Sequence, residues 1–266
     1  MTRVAIAGLG AVGRVLVARL AEGLPGIELS AVSARDPVRG EQTLHELGVE
    51  VPVRDISELE PLADLVVECA PAQLLPAIAG PFLRAGKEVV VLSAGALLEH
   101  EHLIEIAKLH GGRISVPTGA LLGLDAVAAA AEVGITSLRL TTRKPPAGLA
   151  GAPGLEASGI DLDGLTEPRL VFSGTARQVV RGFPANLNVA VALSLAGPGP
   201  DETHVEVWAD PGVTRNTHTI VMTSEVADLT MTIENVPSEN PRTGRITPWS
   251  VISLLRKRSA PLRVGS

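Results

Sequence analysis

The sequence predicts an α/β protein, with an N-terminal Rossmann doubly wound parallel sheet and a C-terminal α+β domain built on a mostly antiparallel open sheet. Three observations predict it. Short, wholly apolar runs alternate with helical patterns through residues 1–118. A glycine-rich turn separates the first of those runs from the first helical stretch. Beyond Pro117 the rhythm changes to segments in which Ser, Thr and Arg alternate with Ile, Leu and Val.

Taken in order, Arg3–Ala7 is apolar and stops at glycines, as a buried parallel strand does. Residues 10–22 place Val12, Val15, Leu16 and Leu20 at helical spacing. Ile27–Val32 reads as the second strand and Arg39–Leu47 as a helix. Leu65–Cys69 and Glu88–Leu92 are two more buried strands, followed by helical stretches at Gln73–Leu83 and Leu97–Leu109. Arg113–Val116 closes this part as a short strand. Leu124–Ala131 is Ala-rich and helical, and Thr136–Thr142 alternates like a half-exposed strand. Residues 145–168 are rich in Gly, Pro and Asp and read as one long loop. The surroundings of Val179 and Asn186–Leu195 look helical, and His204–Trp208, His218–Thr223 and Ala227–Glu234 look like antiparallel strands. A last amphipathic helix, Trp249–Lys257, opens with Thr247 as N-cap and Pro248 at its first position. These readings divide the chain into a dinucleotide-binding domain (1–118, with 245–266 packing back on it) and an α+β catalytic domain (119–244).

Composition narrows the function classes. Apolar residues at 45% and charged residues at 20% mark a globular chain. With three Phe, two Trp and no Tyr, it lacks the aromatics for a stacking platform on single-stranded nucleic acid. The net charge is −6, and the one basic run, Arg256-Lys257-Arg258, suits the negative end of a helix, so no nucleic-acid footprint is expected. A single cysteine, Cys69, excludes an intrachain disulfide framework, and the acids and histidines lack metal-ligand spacing. No apolar run is long enough for a bilayer and no leader pattern opens the chain, so a cytoplasmic protein without membrane contact is the expectation.

Gly8-Leu9-Gly10-Ala11-Val12-Gly13 is a G-x-G-x-x-G between strand and helix, the context that dinucleotide phosphates require. Gly8 allows the tight turn, Gly10 leaves room for the pyrophosphate, and Gly13 lets helix and sheet approach. Ala11 and Val12 belong to the helix end on which the phosphates rest. An NAD site usually carries an acid about 20 residues beyond the fingerprint. Here that position is Ser33, and Asp36 lies further on, so Ser33 and Arg35 are candidates for a 2′-phosphate and both NAD and NADP stay open. Cys69 and Ala70 follow one strand and Ser93 another, at carboxyl ends where the nicotinamide ribose would sit. The Cys69 thiol itself reads as structural.

In the second half, polar residues interrupt regular patterns in three places. Pro117–Asp125 is a Gly-rich entry to a helix where the domains are expected to meet, Phe183–Ala190 sets two amides at a helix start, and Ala209–His218 ends on a histidine entering a strand. Together with the fingerprint, Val67-Glu68-Cys69-Ala70, Gly119-Ala120, Gly123–Ala126, Arg143-Lys144-Pro145, Asn186–Ala190, Ala209-Asp210-Pro211, Asn216-Thr217-His218 and Asn240-Pro241-Arg242-Thr243 occur in this order. Over nearly its whole length the chain resembles the L-aspartate dehydrogenase family. The resemblance implies oxidation of L-aspartate to iminoaspartate, and so to oxaloacetate and ammonia, with NAD or NADP, and in some members a supply to NAD biosynthesis. It also implies that Ala120 and Asn188 contact the cofactor and that His218 is the active-site histidine.

The reaction needs the substrate amine neutral as hydride leaves Cα, and a histidine with a pKa near 6.5 suits that proton. The other five histidines sit in ordinary patterns. Asn186 and Asn188 are candidates for the cofactor, although either residue type also caps helices. Arg143, Lys144, Thr118 and the turn N–H at Gly119 are candidates for the substrate carboxylates. A homodimer is expected on base rates. Competing readings are a related amino-acid dehydrogenase or reductase of other specificity, and a non-catalytic NAD(P)-binding sensor.

Overall fold

In a computed structural model, which describes residues 1–183, 187–237 and 244–265, the first apolar run forms strand β1 (Thr2–Ala7). It leads into helix α1 (Ala11–Ala21), whose Leu16, Val17 and Leu20 are buried. Strand β2 (Ile27–Ser33) and helix α2 (Pro37–Glu46) follow, with Asp36 accepting a hydrogen bond from the Arg39 N–H as N-cap and Pro37 opening the helix. Next come β3 (Leu65–Glu68), α3 (Leu75–Arg84), β4 (Glu88–Val91), α4 (Ala94–Glu99), α5 (His102–His110) and β5 (Arg113–Ser115). The helix expected over Leu97–Leu109 is thus two helices, broken at His100 and Glu101, where His100 leaves helical geometry at φ −128°, ψ 43°.

These strands form one parallel sheet in the order β2-β1-β3-β4-β5. Side chains alternate between its faces. Val4, Ile6, Leu65, Val67 and Val90 point to one core with Leu16, Val17 and Leu20. Ala5, Ala7, Val66, Val89 and Val91 point to the other with Ile78, Phe82 and Leu103. Covering on both faces is what apolar runs without alternation require.

The second unit begins with α6 (Leu124–Ala131) and β6 (Ile135–Lys144). The stretch read as a long loop holds helix α7 (Pro153–Ser158), with Pro153 at its start and Gly159 in left-handed geometry (φ +64°) at its end, the usual proline-first, glycine-last asymmetry. Strand β7 (Arg169–Thr175) had no counterpart in the sequence reading. It is an edge strand with a register shift at Leu170/Phe172 and one fully buried residue, so it shows no alternation. Then come α8 (Ala176–Gly182), α9 (Asn188–Ala196), β8 (Thr203–Ala209), β9 (Asn216–Ser224) and β10 (Asp228–Asn235). The sheet runs β10-β9-β6-β8-β7, antiparallel except between β6 and β8.

The last helix, α10, spans Ile246–Ser259 and belongs with the first unit, which comprises Met1–Gly119 and Thr247–Val264. It starts earlier than expected, so Thr247 lies within its first turn rather than capping it. Pro248 is tolerated there because first-turn N–H groups have no helical acceptor. Val251, Ile252 and Leu255 enter the same core as α1.

Candidate functional site

In the first unit the fingerprint glycines hold the turn together. Gly8 has φ +112°, and a Cβ there would stand 2.6 Å from the Cys69 carbonyl oxygen. A Cβ on Gly13 would overlap the Gly8 carbonyl. Gly10, in contrast, faces open space, with nothing within 4 Å of a Cβ. The N-terminus of α1, at Ala11 and Val12, has no side-chain cap and no acid in its first turn. A positive helix end beside a glycine with clear space fits the pyrophosphate of a dinucleotide.

Ser33 is buried at the end of β2, where its carbonyl accepts the Gly8 N–H at 2.8 Å. Arg35 is exposed. Asp36 keeps its carboxylate on the α2 N-terminus, 3.2 Å from the Arg39 nitrogen.

Cys69 and Ala70 follow β3, and Ser93 follows β4. Between them stands Glu68, fully buried at the end of β3. Its carboxylate accepts the N–H groups of Leu92 (3.2 Å) and Ser93 (2.9 Å), and the Ser93 hydroxyl at 3.1 Å. The Ala70 N–H also bonds to it, and burial nevertheless holds its pKa above the usual carboxylate value. The Cys69 thiol is pushed well up by burial and by the Glu68 charge, which keeps it from acting as a thiolate.

Gly119 donates its N–H to the Ser250 hydroxyl at 3.1 Å, so that turn N–H is not available to a substrate carboxylate as the sequence reading had it. Thr118 is exposed.

In the second unit, Leu138, Leu140, Thr142 and Lys144 of β6 point to the buried face, while Arg139, Thr141 and Arg143 point to the other. On β9, His218, Ile220 and Met222 share that buried face, and the register sets Thr142 directly opposite His218. Thr142 Oγ1 and His218 Nδ1 are 3.1 Å apart. Thr142, Lys144 and His218 are 0%, 2% and 3% exposed. Burial, with the Lys144 charge adding to it, lowers the His218 pKa to about 3, far below the near-neutral value expected from the sequence. Burial lowers the Lys144 pKa to about 8.

Arg143 sits on the opposite face of the sheet from these three. Its guanidinium pairs with Asp210 at 3.0 Å and lies 4.9 Å from the Trp208 ring centre. The structure therefore separates the two cations that the sequence reading treated as equals. Ala120 gives its carbonyl to Asn235 Nδ2 at 2.9 Å. Asn188 is the first residue of α9, and the N-cap is Leu187. Asn186 and the Asn240–Thr243 motif lie outside the described residues. Among the described residues no group of His, Cys, Asp and Glu is placed to hold a metal, and no helix is long and apolar enough to cross a membrane.

Residues 125–258 match the family model described as aspartate dehydrogenase, C-terminal, which is just over half of the chain. The chain belongs to the L-aspartate dehydrogenase family. Residues 8–117 match the model of the homoserine dehydrogenase NAD-binding domain. The chain is 61% identical to L-aspartate dehydrogenase 3 of Bordetella bronchiseptica, over 99% of its own length and 97% of that protein's. It is 54% identical to L-aspartate dehydrogenase of Bradyrhizobium diazoefficiens, over 99% and 94%. Its fold is that of the aspartate dehydrogenase of Thermotoga maritima, with a TM-score of 0.75 at 23% identity over the full length of both chains.

Within this family member, the sequence reading gave no role to Thr142 or Glu68. Both left a signal. Counting alternate residues from Leu138 puts Thr142 and Lys144 in an inward row that is otherwise apolar, and Glu68 closes an apolar strand.

Proposed function

We propose that this chain catalyses the NAD(P)-dependent oxidative deamination of L-aspartate to iminoaspartate, which water then converts to oxaloacetate and ammonia. The observation that carries this reading is His218. It is an imidazole buried on the inner sheet face, held neutral by its surroundings, with Nδ1 fixed by Thr142 so that Nε2 is the nitrogen left for a substrate. A neutral imidazole is the form that accepts a proton from the substrate ammonium. The dinucleotide, when bound, supplies the hydride acceptor. Gly8, Gly10, Ala11, Val12 and Gly13 hold its pyrophosphate, and Cys69, Ala70 and Ser93 border its nicotinamide half. Ala120, Asn186 and Asn188 are its partners in the second unit. A non-catalytic sensor has no use for a buried proton acceptor.

The test is absorbance at 340 nm with L-aspartate and each cofactor, and with oxaloacetate plus ammonia in reverse. Turnover of another amino acid in preference to aspartate would overturn the substrate, and cofactor binding without turnover would overturn the reaction.

For the cofactor we propose that NADP is accepted. Arg35 is exposed just beyond β2, and the acid next to it in sequence, Asp36, is engaged as a helix cap. Arg35→Asp should shift kcat/KM toward NAD by about tenfold or more, the size of one charge-assisted contact. Equal loss with both cofactors would overturn the phosphate role. The reading carries with it a cytoplasmic homodimer, checked by light scattering, and a supply to NAD biosynthesis, checked by complementation of a strain lacking that route.

A further inference from the structure

We infer that Asn235 is a positioning residue for the proposed reaction: its side-chain amide ties the turn at Ala120 to the strand pair that carries His218. The inference rests on the reading of Ala120 as a cofactor contact and of His218 as the proton acceptor, and it adds the residue that holds the two in one frame.

β10 lies at the edge of its sheet and alternates cleanly. Asp228, Thr230, Thr232 and Glu234 are exposed, and Leu229, Met231, Ile233 and Asn235 form the inward row. That row is apolar until its last member, which is also its most buried one, with Asn235 4% exposed. The register of β10 on β9 sets Ile233 opposite His218, and Asn235 is the next inward position along the strand.

The same row holds the turn that precedes α6. Asn235 Nδ2 donates to the Ala120 carbonyl at 2.9 Å. Further along the turn, Gly123 has φ +66°, and a Cβ on it would overlap the Met231 thioether. Met231 thus fills the place that a side chain at 123 would take, and glycine lets the turn close on β10. A polar tie at Ala120 and a packed contact at Gly123 fix the turn to one strand at two points. That strand is paired along its whole length with the strand of His218.

The amide is a poor choice for stability alone. A carbonyl only accepts, so the Asn235 NH2 must face Ala120, and Oδ1 is turned away from it. There Oδ1 is buried and has no hydrogen-bond partner among the described residues. A Cβ on Gly244 would stand 3.0 Å from it, so the backbone closes over this side as well. An unpaired buried acceptor is destabilising, and a leucine of the same branching would continue the apolar row without one. What the amide supplies is the hold on Ala120. Hydride transfer is sensitive to alignment at the scale of an ångström. With the tie removed, Ala120 and His218 stand on elements that move separately, while the burial of His218 and its bond to Thr142 stay as they are.

The test uses the full-length chain with its dinucleotide. Asn235→Leu keeps the branching and removes the amide, and Asn235→Ala removes it without added bulk. Reduced cofactor formed in the first turnover at saturating L-aspartate gives two readings: its rate constant follows hydride transfer, and its amplitude counts working sites. In both variants the rate constant should fall about 5- to 30-fold, the effect of a displacement well under 1 Å. The amplitude and KM for L-aspartate should stay within about twofold of the parent's, because the contacts that bind substrate are untouched. Melting temperatures should stay within about 3 °C, since the lost hydrogen bond is offset by relief of the unpaired Oδ1. A parent-like rate constant in both variants would overturn the inference whatever the amplitude. Failure of both to fold would overturn it too, because the amide would then serve the fold.

A second readout needs no turnover. Fluorescence titration with the reduced dinucleotide should show about 3- to 10-fold weaker binding in both variants, as a displaced contact allows. Unchanged rate constant and unchanged affinity would overturn the inference while aspartate turnover stood. A parent that ignores aspartate, with variants that still bind the dinucleotide more weakly, would overturn the proposed reaction and keep the tie between Asn235 and Ala120.

Discussion

A single buried imidazole sets both an activity and a stability. His218 has a folded pKa of about 3 against 6.5 as an unperturbed residue, chiefly from burial. Between those values only the unfolded chain binds the proton, so its contribution to stability is intact above about pH 6.5 and declines as the pH falls toward 3. His218→Ala should therefore lower kcat by about 100-fold or more while leaving dinucleotide affinity near the parent's, and it should flatten this acid loss in urea melts between pH 7 and 4. Full activity in the variant would remove the residue from the mechanism. Thr142 belongs to the same argument. Thr142→Val loses the 3.1 Å partner of Nδ1 and should lower kcat by about 5- to 20-fold, as one hydrogen bond's worth of orientation allows, whereas Thr142→Ser should retain most of it. His218 was legible in the sequence because Asn-x-His at the start of a strand fits a family pattern. Its real proton affinity was not, because that depends on Lys144 and on burial, and both are set by pairing of strands 74 residues apart.

At the scale of elements, the helix read over Leu97–Leu109 is two, whereas the strands of the parallel half were legible to about a residue, because strands covered on both faces leave uninterrupted apolar runs. β7 and α7 were not. β7 lies at a sheet edge with a register shift, and the Pro-first, Gly-last frame of α7 was masked by a composition that reads as loop. Glu68 shows what element packing adds. One carboxylate at the end of β3 ties down the segment after its own strand and the segment after β4, through Ala70, Leu92 and Ser93. These are the segments assigned to the nicotinamide half of the cofactor. Glu68→Gln keeps one acceptor oxygen for the Leu92 and Ser93 N–H groups but removes the charge and turns an NH2 toward the Ser93 hydroxyl, so the ties between the two segments weaken. NADH affinity should fall by about tenfold, close to 1.4 kcal/mol, while ADP-ribose, which lacks the nicotinamide ring, keeps its affinity. Fluorescence titration with ADP-ribose as competitor measures both. Equal weakening of the two would assign Glu68 to general folding of the sheet instead.

On the scale of the whole chain, the dinucleotide half is not a contiguous stretch of sequence. The backbone leaves that unit at Gly119 and re-enters it at Thr247. α10 then lays Val251, Ile252 and Leu255 on the face already occupied by α1 and by Val4 and Ile6 of β1. Polar ties fix its far end: Arg258 pairs with the buried Glu88 at the start of β4, Glu88 also accepts the Ser115 hydroxyl at 2.6 Å, and the Ser259 hydroxyl donates to the Pro25 carbonyl. Cofactor affinity should therefore depend on residues some 240 positions from the fingerprint (Gly10 to Leu255, 245). Leu255 is fully buried, and Leu255→Ala should destabilise the first unit by about 2–5 kcal/mol through lost contact and the cavity left behind. Because the dinucleotide binds only the folded unit, NADH at 100 times its Kd should restore about 2.7 kcal/mol of that loss. Urea melts with and without NADH read both effects. A chain ending at Gly244 should fail to bind NADH, since the core that α1 and α10 share over β1 would lose the contribution of Val251, Ile252 and Leu255. Parent-like NADH affinity in that shortened chain would mean that α10 is an ornament on the fold and not part of the cofactor-binding unit.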